Sequence, residues 1–246
     1  MTEPRDLDLI LSVASVDAEV FELRPDYRAL LIAIDGIVPS ASTTPDAVVD
    51  ALIERAESAA REAVATGPIE DLAHIAAWRE AYRQFGAKPQ RTRNSLEALM
   101  RRAETAMPRV NRLTDIYNAI SVIHQLPLGG EDLTRYDGAP QLRRAVGDEP
   151  FDTVAEGETV IEYPEVGEVV WCDDAGVTCR RWNWRQARRT ALQDETTSAL
   201  FILDALGAIT DAELVAAADE LVHHLSALGP EVQIARRIIN APTSPA

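Results

Sequence analysis

The spacing of apolar residues changes along the chain, from a helical period in one region to strand-like runs in the next. The order of these two regions limits the folds that the chain can adopt. Between about residues 43 and 126, apolar residues recur at helical spacing in segments that end at glycine or proline. Between about residues 158 and 206, short runs rich in Val, Ile, Thr and Trp have the character of strands. Helices that cluster apart from strands favour an α+β fold over a doubly wound parallel sheet. We therefore predict layered helices with a mixed or antiparallel, β-sandwich-like core.

The first half of the chain is predicted to open with strands and to continue with helices. Residues 8–37 are interpreted as β-structure, because DLDLILSV alternates and RALLIAIDGI is rich in branched apolar residues, as a buried strand is. AEVFEL lies between these two runs. Thr43 or Thr44 is expected to cap the first helix, with Pro45 in its first turn.

Three more helices are expected before residue 127. They are predicted at residues 69–85, from Asn94 or Ser95, and from Thr114 to the proline at position 127. Glu97 stands three residues after Asn94, which is compatible with a capping box.

The second half is predicted to return to strands. Residues 129–151 are interpreted as a loop, and ETVIEY, GEVVWC and VTCRRW as strands with a hairpin turn at DDAG. TSALFILDAL is a strand or a short helix, and residues 211–228 form the last clear element, an amphipathic helix. We expect one domain over residues 1–240, followed by a flexible tail at 241–246.

Charge and composition narrow the class of protein. The 246 residues carry a formal net charge of −16, so nucleic acid can be met only through a local basic patch. Two cysteines are too few for a disulfide framework and lack the partners of a zinc site. No secretory signal and no membrane-spanning apolar run is present, and no cofactor motif is found. The sequence predicts a cytoplasmic protein with neither metal nor cofactor.

The first polar segment with functional potential lies on the fourth predicted helix. Asp115 and Asn118 fall three residues apart on the border of its apolar stripe, with Asn111 just upstream. Half-buried polar groups must be hydrogen-bonded, either within a structural network or to a ligand.

The second polar segment is QLPLGGEDL. Gly129 and Gly130 allow the backbone to approach a ligand closely. Glu131 and Asp132 follow at once, and they are candidates either for holding an ammonium group or for capping a turn.

The third segment combines arginines with tryptophans. Strand alternation predicts Trp182 and Trp184 on one face and Asn183 on the other. Such tryptophans can stack bases beside arginines, or they can belong to the core. Five arginines surround them: Arg180, Arg181, Arg185, Arg188 and Arg189. A second basic patch contains Lys88, Arg91, Arg93, Arg101, Arg102, Arg109 and Arg112.

These segments together resemble the tRNA-editing (B3/B4) domain of the phenylalanyl-tRNA synthetase beta chain. The similar stretches are RVNRLTDIYN, LPLGGEDL, YDG and DETTSALF, in that order, with RPDYRALLIAIDGI similar to the strand that opens that domain. FGAKPQRTRNSLEALMRR is also similar to the stand-alone members of the family. The resemblance covers roughly residues 20–206 and implies the B3/B4 fold.

The resemblance implies hydrolysis of the ester that joins a wrong amino acid, tyrosine in the synthetase, to tRNA. The family's loop histidine falls on Gly129 and its late glutamate on Ile202, and residues 182–184 replace a glycine-rich segment. These departures argue against tyrosine as the substrate and leave other aminoacyl esters open.

Two hypotheses follow for the function. The first is a trans-acting aminoacyl-tRNA deacylase, or a remnant of one, and the second is a non-catalytic module for an amino-acid-like or nucleotide-like small molecule. Whether the chain still catalyses anything is left open. The catalytic candidates are Asn111, Asp115, Asn118, Glu131 and Asp132. The substrate-binding candidates are Gly129, Gly130, Arg181, Trp182, Asn183, Trp184, Arg185 and Thr196.

Overall fold

The computed structural model describes residues 5–39 and 46–242. The helices are α1 (Leu7–Val13), α2 (Ala18–Leu23), α3 (Ala47–Val64), α4 (Ala73–Gln84), α5 (Ser95–Ala103), α6 (Arg112–Ile123) and α7 (Asp211–Ser226). The strands are β1 (Ser15–Val16), β2 (Arg28–Asp35), β3 (Leu128–Asp132), β4 (Gln141–Arg144), β5 (Phe151–Ala155), β6 (Glu158–Glu162), β7 (Val169–Asp173), β8 (Gly176–Arg180), β9 (Arg185–Gln186), β10 (Ser198–Ala205) and β11 (Gln233–Asn240). Single 3-10 turns lie at Ile69–Asp71 and Leu133–Arg135.

Two sheets form the β-layers. The central sheet is antiparallel, with the order β11-β2-β10-β3. The second sheet has the order β1-β4-β7-β8-β9 and is mixed, because β1 runs parallel to β4. Strands β5 and β6 form a separate two-stranded hairpin. The prediction of an α+β fold with mixed and antiparallel sheets is confirmed.

Both faces of the central sheet are buried, which explains the almost unbroken apolar run in β2. Leu30, Ile32 and Ile34 pack on one face among residues of helices α3, α5, α6 and α7. Leu31 and Ala33 point to the other face, where they meet the second sheet and α4. Side chains alternate along a strand, so a strand covered on both sides needs apolar residues at every position.

The helix caps agree only partly with the sequence predictions. Of the two predicted candidates, Asn94 and Ser95, Asn94 caps α5, since its side chain accepts the Glu97 backbone N–H at 2.9 Å. The cap of α6 is Asn111, whose side chain accepts the Thr114 N–H at 2.9 Å, so the predicted cap at Thr114 is wrong by three residues. Asp46 caps α3. The caps predicted at Thr43 or Thr44, the turn at Pro45, and residues 243–246 of the predicted tail lie outside the described residues.

Two segments predicted as strands are helices. Leu7 and Leu11 stand four apart and bury the same face of α1, and the Asp6 side chain caps it by accepting the Leu9 N–H at 3.0 Å. Alternation in DLDLILSV therefore coincides with helical spacing, and the cap decides between them. AEVFEL likewise forms α2 and buries Val20 and Phe21.

Strands were missed at both ends of the β-rich half. The region predicted as a loop at residues 129–151 contains β3 and β4, and the edge strand β11 was not predicted. Both β3 and β11 lie at edges of the central sheet. Each is held there by backbone pairing to one neighbouring strand, although its sequence shows little of the alternation expected of a strand. The predicted hairpin at DDAG is confirmed, since β7 and β8 pair across Asp173 and Gly176. None of the described helices combines the length and apolarity that crossing a membrane requires.

Candidate functional site

A cleft of about 530 Å³ opens between the two sheets and the helices α5 and α6. Its apolar walls come from distant parts of the chain, because β3, β10, β7 and the turn after β8 converge here. The apolar wall residues are Leu99, Tyr117, Leu128, Trp171, Trp182 and Ile202. This volume lies within the range of about 300–1,000 Å³ that is usual for small-molecule sites.

Two buried carboxylic acids line the cleft. Glu131 lies opposite Leu200 in the ladder between β3 and β10, and Asp204 lies on the same face of β10, pointing to the second sheet. Glu131 is 1% exposed and Asp204 is 2% exposed. The Tyr136 hydroxyl donates to Glu131, and the Tyr27 hydroxyl donates to Asp204 at 2.6 Å. We call Glu131 and Asp204 the acidic floor.

Burial controls the protonation of the acidic floor. Loss of hydration raises the pKa of Glu131 to about 7, although the hydrogen bond from Tyr136 acts in the opposite direction. Burial likewise raises the pKa of Asp204 to about 7, with a further upward contribution from the charge of Glu131. Each acid is therefore partly ionised near neutral pH, which suits either proton transfer or the binding of a donor group.

Arginines surround the open side of the cleft. Arg91, Arg93, Arg101, Arg102 and Arg185 line it, and the first four have exposed side chains. We call these five residues the arginine rim.

A buried carboxylate organises part of the arginine rim. Glu97 is fully buried and lies 2.8 Å from Arg79, 3.1 Å from Arg101 and 3.5 Å from Arg93. Within the part of the chain that the structure describes, Arg91 and Arg102 have no carboxylate within 4 Å. The rim therefore carries net positive charge although the chain as a whole is strongly acidic.

The arginines near the tryptophans are paired with acids. Of the two alternatives predicted for this segment, RNA contact through free cations is therefore not supported by the geometry of the arginines around Trp182 and Trp184. The carboxylate partners are Glu168 and Glu162 for Arg180, Glu168 for Arg181, Glu162 for Arg185, Asp152 for Arg188 and Asp173 for Arg189.

The two tryptophans do not share a face of a strand, so that prediction is wrong. Arg181 and Trp182 have φ values of 48° and 68°, and the backbone turns at this point instead of extending. Trp182 is fully buried, with ring centroids 4.9 Å from Tyr27 and 5.2 Å from Trp78. Trp184 is half-buried, and the Arg181 guanidinium lies 4.5 Å from its ring centroid.

The structure brings seven of the predicted site residues to the cleft. They are Asn118, Gly129, Glu131, Trp182, Asn183, Trp184 and Arg185. Strand alternation explains why Gly129 and Glu131 line it whereas their neighbours Gly130 and Asp132 point to the opposite face. A β-carbon on Gly130 would lie 2.8 Å from the Phe201 ring, so this glycine serves core packing.

Three predicted catalytic residues do not line the cleft and have structural hydrogen-bond partners instead. Asn111 caps α6 and donates to the Leu192 carbonyl at 3.0 Å. Asp115 accepts from Arg109 and from the Val110 N–H, each at 2.8 Å. Asp132 accepts from both the N–H and the hydroxyl of Thr134.

Two predicted substrate-binding residues also contact protein groups instead of lining the cleft. The Thr196 hydroxyl donates to Asp132 at 2.8 Å. Arg181 contacts Glu168 and Thr92.

Sequence reasoning missed Asp204 and Gln186, both of which line the cleft. The sequence does single out Asp204, because it is the one charged residue in SALFILDA, whose other residues are apolar apart from Ser198. It lies two residues after Ile202, on the same face of β10. Gln186 donates to the Gly130 carbonyl at 2.9 Å, and a β-carbon on Gly129 would come within 3.0 Å of its amide nitrogen.

The cysteine in the cleft is not an activated nucleophile. Cys179 is 7% exposed, and burial together with the nearby charges of Glu131 and Asp204 raises its pKa well above the ordinary value. The thiol is therefore protonated at neutral pH, and a thiolate is the reactive form. Cys172 is also buried and free.

Comparison with known proteins gives a family match and a distant structural likeness. The model of the B3/4 domain family matches residues 77–222. An N-terminal fragment of the phenylalanyl-tRNA synthetase beta-subunit from Pyrococcus horikoshii is 10% identical, with a TM-score of 0.44 over 90% of this chain and 49% of that chain. The chain thus spans about half the length of that fragment. No curated protein matches significantly. Because the family model covers more than half of the sequence, the chain belongs to the B3/4 domain family.

Proposed function

We propose that the chain binds the aminoacylated 3′ end of a tRNA in the cleft and hydrolyses the aminoacyl ester. The observation that carries this proposal is the polarity of the cleft, with buried acids at its floor and arginines at its rim. An aminoacyl ester of a nucleotide has the complementary polarity, because it carries an ammonium group at its amino-acid end and a phosphate at its nucleotide end. The resemblance of the sequence to a synthetase editing domain is consistent with this class of ligand, and the chain belongs to the B3/4 domain family.

Each part of such a ligand has a chemically matched surface. The carboxyl group of Asp204 suits the ammonium group, and the apolar walls suit an uncharged amino-acid side chain. Since no carboxylate of the described residues 5–39 and 46–242 pairs with Arg91 or Arg102, both can bind phosphate oxygens, for which guanidinium groups provide bidentate hydrogen bonds. Trp184 adds a half-buried aromatic ring that suits stacking of the terminal base.

Ester hydrolysis needs an oriented ester, donors for the oxyanion and an activated water. The side-chain amides of Asn118, Asn183 and Gln186 line the cleft and are candidate donors. Glu131 is the candidate base, because a carboxyl group with a pKa of about 7 is partly deprotonated at neutral pH and accepts a proton readily. The ribose hydroxyl beside the ester can assist the same step.

A second candidate function is binding of an amino-acid-like or nucleotide-like molecule without chemistry. It is favoured by the partners of Asn111, Asp115 and Asp132, which leave fewer polar groups in the cleft than the sequence predicted. The Tyr136 hydroxyl also donates to one oxygen of the Glu131 carboxylate, and that oxygen is then less able to accept a proton from water.

A panel of aminoacyl-tRNAs distinguishes the two functions. We expect the wild-type chain to release the amino acid from at least one member faster than buffer does. Glu131→Gln is expected to lower that rate by about 10²-fold or more, since it removes the proposed base. Asp132→Asn, on the opposite face of β3, should change the rate little. Hydrolysis at the buffer rate for every member would leave only the binding function, and a larger loss in Asp132→Asn than in Glu131→Gln would reject the assigned base.

The arginine rim predicts a specific dependence of tRNA affinity on salt. The double variant Arg91→Ala/Arg102→Ala is expected to weaken tRNA binding and to reduce the slope of log K against log salt concentration by about 1.5. The control is Arg188→Ala/Arg236→Ala, which removes the same charge from exposed arginines already paired with Asp152 and Asp219. Equal slopes for the two double variants, measured by filter binding, would show that the rim does not contact phosphates.

A further inference from the structure

One buried carboxylate outside the cleft binds Arg180 and Arg181, the two residues that directly precede Trp182 in the cleft wall. Glu168 directly precedes β7 and is 3% exposed. It accepts from Nε and Nη2 of Arg180, both at 2.8 Å, and from the backbone N–H and Nε of Arg181 at 3.2 and 3.3 Å. Four donors on one carboxylate make this contact specific in geometry as well as in charge.

These bonds hold a backbone conformation that the residues themselves do not favour. Arg181 and Trp182 have φ values of 48° and 68°, in the left-handed region where side chains larger than that of glycine are disfavoured. Such conformations persist only where the surroundings enforce them, and they are frequent at functional sites. The Trp182 N–H donates to the Val169 carbonyl at 2.6 Å, one residue after Glu168.

The turn formed by residues 181–184 also connects the acidic floor of the cleft to its arginine rim. Asn183 donates to Asp204 at 3.4 Å, and its carbonyl accepts the Ser95 N–H at 3.0 Å. Arg181 contacts the Thr92 hydroxyl, between rim residues Arg91 and Arg93. The position of the turn therefore sets the distance between the acidic floor and the arginine rim.

We infer that Glu168 is a positioning residue for the cleft. It holds Arg181 and Trp182 in the left-handed conformation and thereby places Asn183 and Trp184 in the cleft wall. Its effect on a ligand rests on the proposed function, whereas its effect on the turn does not. The role is assigned to Glu168 because it contacts the turn and does not itself line the cleft.

Asp173 provides a matched control at the other end of β7. It is also buried, pairs with Arg189 at 2.7 and 2.9 Å, and accepts the N–H groups of Asp137, Ala175 and Gly176. Asp173→Asn thus makes the same change from carboxylate to amide at the opposite end of β7, in a buried ion pair that does not hold the cleft turn.

Hydrogen exchange tests the inference without any ligand. In Glu168→Gln, the amides of residues 181–184 are expected to exchange about tenfold faster or more, with residues 174–176 unchanged. Asp173→Asn should give the reverse pattern. Arg181→Met keeps the backbone bond to Glu168 and serves as the milder variant if Glu168→Gln does not fold, with faster exchange at the same residues. Unchanged exchange at residues 181–184 in the variant that folds would overturn the inference.

Hydrolysis of the best aminoacyl-tRNA of the panel provides the functional readout. At a temperature where all variants are folded, Glu168→Gln is expected to lower kcat/KM by about 10²-fold, because a displacement of about 1 Å in a site has such effects. Asp173→Asn is expected to lose much less than Glu168→Gln, its effect being limited to the contribution of the Asp173 charge to the pKa of Glu131. If wild type hydrolyses no member, the proposed enzyme function fails, and the exchange data still decide the role of Glu168. Equal losses of kcat/KM in both variants would indicate a merely structural role.

Discussion

Replacing Asp204 by asparagine is expected to raise the free energy of unfolding at pH 8 by up to about 4 kcal/mol while abolishing ligand binding in the cleft. Asp204 is 2% exposed, and its hydrogen bonds come from the neutral side chains of Tyr27 and Asn183. No cationic side chain of the described residues lies within 4 Å of this carboxylate when it is ionised. An asparagine side chain has nearly the same shape, keeps an acceptor for Tyr27, and cannot ionise.

The direction of the pH dependence follows from the pKa of Asp204. Burial raises it from 3.8 to about 7, so between these two pH values the folded state binds more protons at this residue than the unfolded state does. The stability of the wild type therefore falls as the pH rises through this window. Asp204→Asn removes this contribution, so the two proteins should be similar near pH 4 and diverge until about pH 8.

Urea unfolding at a series of pH values measures this difference. Glu131 and His74, whose pKa values are also shifted, are present in both proteins and largely cancel in the comparison. The control Asp132→Asn is expected to destabilise the fold at neutral pH, because Asp132 accepts three hydrogen bonds from Thr134 and Thr196. A pH-independent difference between wild type and Asp204→Asn would contradict the burial of an ionisable acid at the floor.

A stabilising substitution at Asp204 would identify the residue as functional. Stability is commonly reduced where a site needs groups that the fold alone would not place there. Asp204 lies in a strand whose other residues are apolar apart from Ser198, and it faces a cluster of tryptophans. The Tyr27 and Asn183 donors need an acceptor at this position but not an ionisable group, whereas binding of an ammonium group is served by an acid.

The fold could be predicted where local signals and tertiary packing agree. RALLIAID was recognised as a buried strand because both faces of β2 are covered, and the cap at Asn94 was recognised from its side-chain chemistry. Helix α1 was not recognised, because Leu7 and Leu11 fit either period and the deciding cap at Asp6 was not identified. Strand β3 was hidden by Gly129 and Gly130, whose places in the sheet are set by Gln186 and Phe201 from distant segments.

The site could be predicted as a set of segments but not as a set of side chains. The sequence pointed to the regions of Asn118, Glu131 and Trp182, and all three line one cleft. It could not separate Glu131 from Asp132, since their strand was predicted as a loop and the alternation of faces was not used. It also treated the arginines beside Trp182 as free, because their partners Glu162 and Glu168 lie in other strands and loops.

Trp182 and Trp184 are expected to differ strongly in their contribution to stability. Trp182→Ala should lower the free energy of unfolding by about 3–5 kcal/mol, because the side chain is fully buried against Tyr27 and Trp78. Trp184→Ala should cost about 1 kcal/mol, since its half-buried ring mainly loses the cation–π contact with Arg181. Alanine is as disfavoured as tryptophan at the left-handed φ of residue 182, so the backbone contribution cancels.

Circular dichroism during urea unfolding measures both variants without relying on tryptophan emission. The variants should also differ at the cleft, because Trp182→Ala opens the wall beside Ile202 and Trp184→Ala removes the proposed stacking surface for a base. Trp184→Ala is therefore expected to weaken ligand binding at almost unchanged stability. Equal losses of stability would place the two rings in equivalent environments, as simple strand alternation predicts. That result would contradict a turn that buries Trp182 and leaves Trp184 at the cleft surface.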